Sequence, residues 1–460
     1  MPHTSARTAL AHAASVANLA MLRTYFAPSH VQIEAIKESS TRLEYELAFL
    51  PPNDIPPRKE ILAQLDIHRS VLAPIRRLPK ELLIEIFFLV VYELPLSTLH
   101  AAALIARVCT TWREVAHGLK KFWTKVVVKS VRDFDGYCEL FLPLTEGRLS
   151  DLRCDDRKVL SSLWDHIEPY ASRWRSISLE GRLGVLPDLR VIYLDNLERL
   201  VVDVYDAPIS TELSALDFVV APHLRHIALT LDTLLSERQL HVPIAQTLTS
   251  LEIYVMSPFP VTYTLPLLRA CADTLQTLAL KVRYPLDGPE GSYPTNASET
   301  FDMKALTRIR LVDPACALLN HINAPIIEAL ILSNAPAYTS QSLRRFLTQG
   351  RASHSLLVLR VYKVEEQEIS AWVSCLELMD NLLQLHFDEL LSNREFLKLL
   401  ILRADRPALL PSLRGVAIWR ILRVYPELRG VVEEVCDSRA VETTIDGRHA
   451  FLILGFIKDC

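Results

Sequence analysis

Metal binding and acid–base catalysis need histidine, cysteine or carboxylate side chains at fixed spacing, so these residues of the 460-residue chain are the first to weigh. The closest histidine pair is His223-Leu224-Arg225-His226. Three residues apart inside a strand-like frame, the two rings fall on opposite faces, and no third ligand accompanies them. His226 is expected to point to solvent and His223 to sit in a turn. The acidic doublets Asp155-Asp156, Glu365-Glu366 and Glu433-Glu434 have no catalytic or metal pattern around them and read as solvated surface. The sequence contains no G-x-S-x-G, G-x-x-x-x-G-K or H-E-x-x-H, and its 12 glycines disfavour a glycine-rich phosphate cradle. Eight cysteines, at 109, 138, 154, 271, 316, 375, 436 and 460, are scattered without a C-x-x-C, the pattern of reduced intracellular thiols. No catalytic residue, cofactor or metal is expected, so function must come from surfaces that bind.

Fifty Lys and Arg against 54 Asp and Glu leave a net charge of -4, without the global positive field that dominates nucleic-acid binding. The longest apolar runs, Ile86 to Tyr92 and Phe451 to Ile457, are seven residues each, well short of the ~20 needed to span a bilayer. Neither nucleic acid nor membrane is an expected partner. The first 33 residues carry no acid and only two arginines, Arg7 and Arg23. That is thin for a transit peptide, and residues 1–30 read as a disordered tail.

Beyond them, Ile33, Ile36, Leu43, Leu47 and Leu50 form one helical stripe, and Ile61, Leu62, Leu65, His68 and Leu72 rebuild another after the Pro51–Pro57 break. Residues 31–71 are therefore an amphipathic helical segment, either a hairpin or a single helix lying against the next stretch of chain. Pro79 suits the first turn of a helix whose run Glu81 to Tyr92 is apolar nearly all round. A small unit buries only one stripe of such a helix, so a neighbouring domain or another protein must cover the rest. Ser97 caps a second helix, and Val108, Trp112 and Val115 sit at helical steps on a third.

The order Pro74-Ile75-Arg76-Arg77-Leu78-Pro79-Lys80-Glu81-Leu82-Leu83, Ile86-Phe87, Val108-Cys109-Thr110-Thr111-Trp112-Arg113, then Phe122-Trp123 resembles an F-box. More narrowly, it is similar to the F-box proteins expanded in mushroom-forming fungi. The resemblance covers about an eighth of the chain, residues 72–128. It implies a three-helix module that docks onto a Skp-type adaptor and, through it, onto a cullin-RING ubiquitin ligase in the cytoplasm or nucleus. Carried over by position, Leu78, Pro79, Leu82, Leu83, Ile86, Val108 and Trp112 are the implied adaptor-binding or module-core set.

The remainder is periodic. From Trp174 an L-x-x-L-x-L-like frame recurs, its last apolar residue at Leu179, Val202, Leu229, Ile253, Leu280, Leu311, Leu332, Val361, Phe387 and Ile418. The steps of 23, 27, 24, 27, 31, 21, 29, 26 and 31 residues centre on the leucine-rich-repeat range of about 20 to 29. Each frame is a short strand whose alternate side chains enter a shared core. The position three residues on holds no asparagine ladder, so the coils are expected to be irregular. Ser392-Asn393-Arg394-Glu395 reads as a capping box before a helix, and Tyr284 to Thr300 as a loop insertion.

The expected architecture is thus α/β. A helical segment and three-helix module precede an irregular leucine-rich-repeat-like solenoid over 150–430, with 431–460 as cap or tail. Alternation leaves one strand face for a client protein, including the basic group Lys281, Arg308 and Arg310, with Arg360, and the aromatic anchors Tyr254, Tyr362 and Trp419. Over that face five basic residues (199, 281, 308, 310, 360) nearly balance four acidic ones (180, 203, 252, 388), which excludes a nucleic-acid stripe. The competing expectation is a solenoid interaction scaffold with no ubiquitin-ligase role.

Overall fold

The computed structural model describes residues 2–23, 27–51, 55–93, 96–154, 166–182, 192–205, 219–232, 246–258, 260–283, 300–349, 352–364, 369–403, 405, 407–416, 425–439, 444–445 and 448–449. The chain divides into two units, Met1–Arg153 and Cys154–Cys460.

The first unit opens with helices α1 (Pro2–Val16), α2 (Leu19–Arg23), α3 (His30–Phe49) and α4 (Ile55–Leu72). Within the stretch expected to be a disordered tail, Pro2–Val16 and Leu19–Arg23 are therefore helical. Their alanines carry little hydrophobicity each, but Ala6, Ala9 and Ala13 recur at helical steps and pack with Leu43, Leu50, Ile61 and Leu65 of the α3–α4 pair. The hairpin reading of the next segment is the one realised. Ser29 and Gln32 form a capping box that starts α3. Arg58 donates to the carbonyls of Leu47 and Leu50 at 3.1 and 3.0 Å, tying the beginning of α4 to the end of α3. Fully buried His68 has Nδ1 2.9 Å from the Ser40 hydroxyl and Nε2 3.2 Å from the Ala13 carbonyl, so the polar stripe position of α4 joins three helices.

Helices α5 (Lys80–Glu93), α6 (Thr98–Ala106) and α7 (Thr110–Gly118) follow, then strand β1 (Lys125–Val128), α8 (Val131–Leu140) and strand β2 (Ser150–Cys154). Ser97 caps α6 as its type and place demand, its side chain accepting from His100 N–H. Trp123 is the centre of the core. Its ring stacks on Phe141 at 4.1 Å, its indole N–H donates to the Ala116 carbonyl at 3.1 Å, and the Tyr137 hydroxyl donates to its backbone oxygen.

The second unit is built on parallel strands β3 (Trp174–Arg182), β4 (Arg199–Tyr205), β5 (His226–Asp232), β6 (Ser250–Pro258), β7 (Thr277–Arg283), β8 (Arg308–Val312), β9 (Ala329–Ala335), β10 (Val358–Val364), β11 (Gln384–Phe387) and β12 (Gly415–Val416). They lie side by side in chain order. Parallel neighbours need a return connection, and where those returns are described they include the helices Leu265–Ala270, Thr339–Gln349 and Ile369–Leu376. This is the solenoid-like α/β arrangement the frames predict.

Register explains why the frames repeat. Leu179, Val202, Leu229, Ile253, Leu280, Leu311, Leu332, Val361 and Phe387 pair in one unbroken column, all buried. Two residues earlier, Ile177, Leu200, Ile227, Leu251, Leu278, Ile309, Leu330, Leu359, Leu385 and Val416 form a second buried column. A one-residue slip would turn both columns out to the opposite face, so the apolar pattern fixes the register. Ile418 lies outside the described residues, as do 284–299.

Two local expectations change. The helix Arg394–Leu400 is capped by Asn393, whose side chain accepts from Phe396 N–H at 3.0 Å, so Ser392 and Glu395 are not its capping box. The repeat also has a turn signature one residue before the position where an asparagine ladder would stand. Asp313, Asn334 and Lys363 follow the paired residues Val312, Ser333 and Tyr362, and all three have positive φ, 59°, 49° and 52°. Asp and Asn tolerate this left-handed conformation better than most residues. At the far end, Arg429–Arg439 is a helix with Val431, Val432 and Val435 buried. Its Arg439 guanidinium donates to the carbonyls of Leu400, Leu409 and Leu410 at 2.7 Å each, which fastens residues 429–439 to the last turns.

Candidate functional site

Two surfaces carry the residues singled out in the sequence, one in each unit. On the first, helix α5 is too apolar to bury within its own bundle. Leu83, Phe87 and Val91 recur at four-residue steps and are its inward stripe. Leu83 is 1% exposed, so it belongs to the core of the module. Phe87 meets the Trp112 ring at 4.9 Å, which makes half-buried Trp112 a member of the same internal packing. Leu78 and Ile86 are half-buried as well, and Pro79 is exposed at the helix start.

The outward stripe is equally regular. Leu82 and Leu89 are 51% and 53% exposed, and seven residues apart they share one side of α5. On α6 and just past it, Leu104 and Val108 are 53% and 56% exposed, four residues apart. Val108 precedes α7 instead of lying on it, because Cys109 is the cap of that helix, its sulfur 3.4 Å from Trp112 N–H. Leu89 and Leu104 are absent from the set that motif matching selects. The signal for Leu89 is its heptad spacing from Leu82. The signal for Leu104 is weaker, the polar His100 one turn before it on the otherwise mostly apolar α6.

The second surface is the sheet face opposite the two buried columns. Across strands β6 to β11 one row reads Glu252, Ala279, Arg310, Ile331, Arg360, His386, and the next row reads Tyr254, Lys281, Val312, Ser333, Tyr362 on β6 to β10. Lys281, Arg308, Arg310, Arg360, Tyr254 and Tyr362 are thus brought onto one face. Arg308 and Arg310 are exposed, and the other four are half-buried against their neighbours. Tyr254 donates its hydroxyl to Glu252 Oε2 at 3.4 Å, and burial, then the Glu252 charge, pushes its phenol above the ordinary value. The Tyr362 ring lies 4.5 Å from His386. Trp419 lies outside the described residues.

The histidines differ from expectation in one respect. His223 is exposed beside the turn, but His226 is half-buried, not turned to solvent. Its Nδ1 is 2.9 Å from the Ser250 hydroxyl, and burial, then the neighbouring Arg199 charge, holds its pKa below the usual 6.5. Among the described residues, no three His, Cys, Asp or Glu side chains are grouped to hold a metal, and no helix is long and apolar enough to cross a membrane. Described cysteines are free thiols, with Cys138 and Cys316 pushed up to about 12 by burial, which removes their nucleophilic form at neutral pH.

Comparison with known families identifies residues 75–129 with the F-box-like family model. That span runs from the turn before α5 through β1, so the outward stripe of α5, Leu104 and Val108 all belong to an F-box-like domain. Such domains are typically non-catalytic modules that bind Skp1-type adaptors. No curated protein matches the chain.

Proposed function

We propose that this chain is the substrate-recognition subunit of an SCF-type ubiquitin ligase. The F-box-like domain docks a Skp-type adaptor and through it a cullin-RING ligase, while the sheet face of the second unit holds a client protein. The observation that carries the reading is the outward apolar stripe of the F-box-like domain. Leu82, Leu89, Leu104 and Val108 are large aliphatic groups left about half in water by their own chain, and covering what remains is worth on the order of 1 kcal/mol each. The ligase setting places the protein in the cytoplasm or nucleus.

The test is co-purification of the full chain with a Skp-type adaptor. Leu82→Asp and Val108→Asp should each abolish capture with the melting temperature unchanged, because both side chains are exposed in the free chain. Capture that survives the double variant would establish the scaffold role instead.

A further inference from the structure

The sheet face is not evenly mixed. On β3 to β6 it presents Glu180, Asp203 and Glu252 against Arg199. On β7 to β10 it presents Lys281, Arg283, Arg308, Arg310 and Arg360, with no acidic side chain among the described residues of those strands. The near balance of charge over the whole face hides two halves of opposite sign. None of Lys281, Arg308, Arg310 and Arg360 forms an ion pair among the described residues, although surface cations elsewhere do, as Lys304 with Asp273 at 2.8 Å.

The spacing says what could satisfy these cations. Arg308 and Arg310 are alternate residues of one strand, about 6.7 Å apart at their backbones, and Arg310 and Arg360 share a row two strands apart, about 9.6 Å. Ile331 lies between the latter two, and Val312 and Ser333 stand beside them as a low floor. Tyr254 and Tyr362 stand at either side of that floor. Cations set along one strand and across three strands offer several separate anchoring points. They match carboxylates carried at alternate positions of an extended chain, which forked guanidinium groups bind bidentately.

We propose that the β7–β10 half of this face docks a carboxylate-rich acidic segment of a protein partner. The proposal rests on the reading of the second unit as the client-binding unit, and adaptor capture tests the ligase reading separately. The probe is a fluorescein-labelled nonapeptide with glutamate at alternate positions and a central leucine, titrated into the full chain and followed by anisotropy. Binding should weaken as salt rises, and Arg310→Glu with Arg360→Glu should lower affinity at least about tenfold, since like charge then faces the ligand. The neutral pair Arg310→Gln with Arg360→Gln should lie between. Asp203→Lys, in the acidic half, should change affinity less than about twofold.

No measurable binding, or binding untouched by the Arg310 and Arg360 variants, overturns the proposal. So does tighter binding of an oligothymidylate of equal charge, or of a peptide with one phosphoserine and no carboxylate. Lost peptide binding with adaptor capture intact sinks this inference alone. Lost adaptor capture with peptide binding intact sinks the ligase reading alone.

Discussion

The outward stripe of helix α5 and the outer face of the parallel sheet are both surfaces that the chain leaves uncovered, but they are built on opposite principles. The first is apolar and local. Four side chains on two neighbouring helical segments supply it, and its energy comes from excluding water. The second is charged and non-local. Its residues come from strands some 20 to 30 residues apart in sequence and meet only because the buried columns fix their register. A surface of the first kind suits a constant partner, since apolar burial is strong and hardly selective. A surface of the second kind suits selection, since charge placement tells partners apart more than it adds affinity.

Adjacent residues on α5 give the sharpest way to break that contrast. Leu83→Asp puts an unpaired charge among Phe87 and its neighbours and should cost several kcal/mol, enough to unfold the F-box-like domain. Limited proteolysis within 75–129 and loss of near-ultraviolet circular dichroism would report it. Leu82→Asp, one residue away, should leave both signals unchanged while removing adaptor capture, an effect of about 2 kcal/mol or more on binding. If Leu82→Asp also unfolds the domain, the stripe is core and the adaptor surface lies elsewhere.

The same pairing applies to strand β9. Leu330→Ala opens a cavity in a buried column and should cost about 2–5 kcal/mol in denaturant unfolding of the second unit. Ile331→Ala, on the other face, should cost much less, while weakening capture of an acidic ligand if the floor between Arg310 and Arg360 is used. Equal losses at both positions would mean that the outer face is covered by the protein itself.

How much of the molecule is legible in its sequence depends on the range of each interaction. The frame positions from Leu179 to Phe387 are legible because a strand repeats its burial every two residues, and one column of leucines needs no tertiary knowledge to be seen. The F-box-like segment is legible as a motif, but the sequence sorts Leu82 from Leu83 only weakly. In α5 only Lys80, Glu81, Glu85 and Glu93 are charged, so the polar face that marks the Leu82–Leu89 side is narrow, and the packing of Phe87 against Trp112 fixes the inward side. The first helix escapes a reading by composition because alanine counts there as neutral, whereas Ala6, Ala9 and Ala13 matter by spacing against α3 and α4. A total over the sheet face hides its two signs, but the frames show them, because the strands keep chain order and Glu180 and Asp203 come early while Lys281, Arg308 and Arg310 come late.

On the sheet face, a double substitution of Arg308 and Arg310 to Glu should remove client capture and leave adaptor capture as it was, because no residue of the F-box-like domain is altered. Tyr254→Ala with Tyr362→Ala should give a smaller loss, about 1–2 kcal/mol of binding, as aromatic anchors half-buried in the free chain gain less on docking. Unchanged client capture in both variants would move the client to the helical side of the sheet or to residues beyond 429.

The smallest expected effect lies at His226, half-buried on this face. Burial is the first cause that lowers its pKa, the Arg199 charge the second, and Glu252 opposes both. With the folded value below the unfolded 6.5, the unfolded chain binds more protons over the interval between them, so stability rises with pH there. The contribution of His226 is complete above about pH 6.5 and is lost as pH falls through that interval toward the folded value. Arg199→Gln should shift the His226 ring titration upward, yet leave it below 6.5, because burial persists when the cation is gone. The ring resonances, assigned by their disappearance in His226→Asn, measure this directly. A His226 that titrates at 6.5 in the native chain would mean that water reaches its ring. The β3–β6 half would then be an open, solvated surface, and the contrast between the two halves of the face would rest on charge alone.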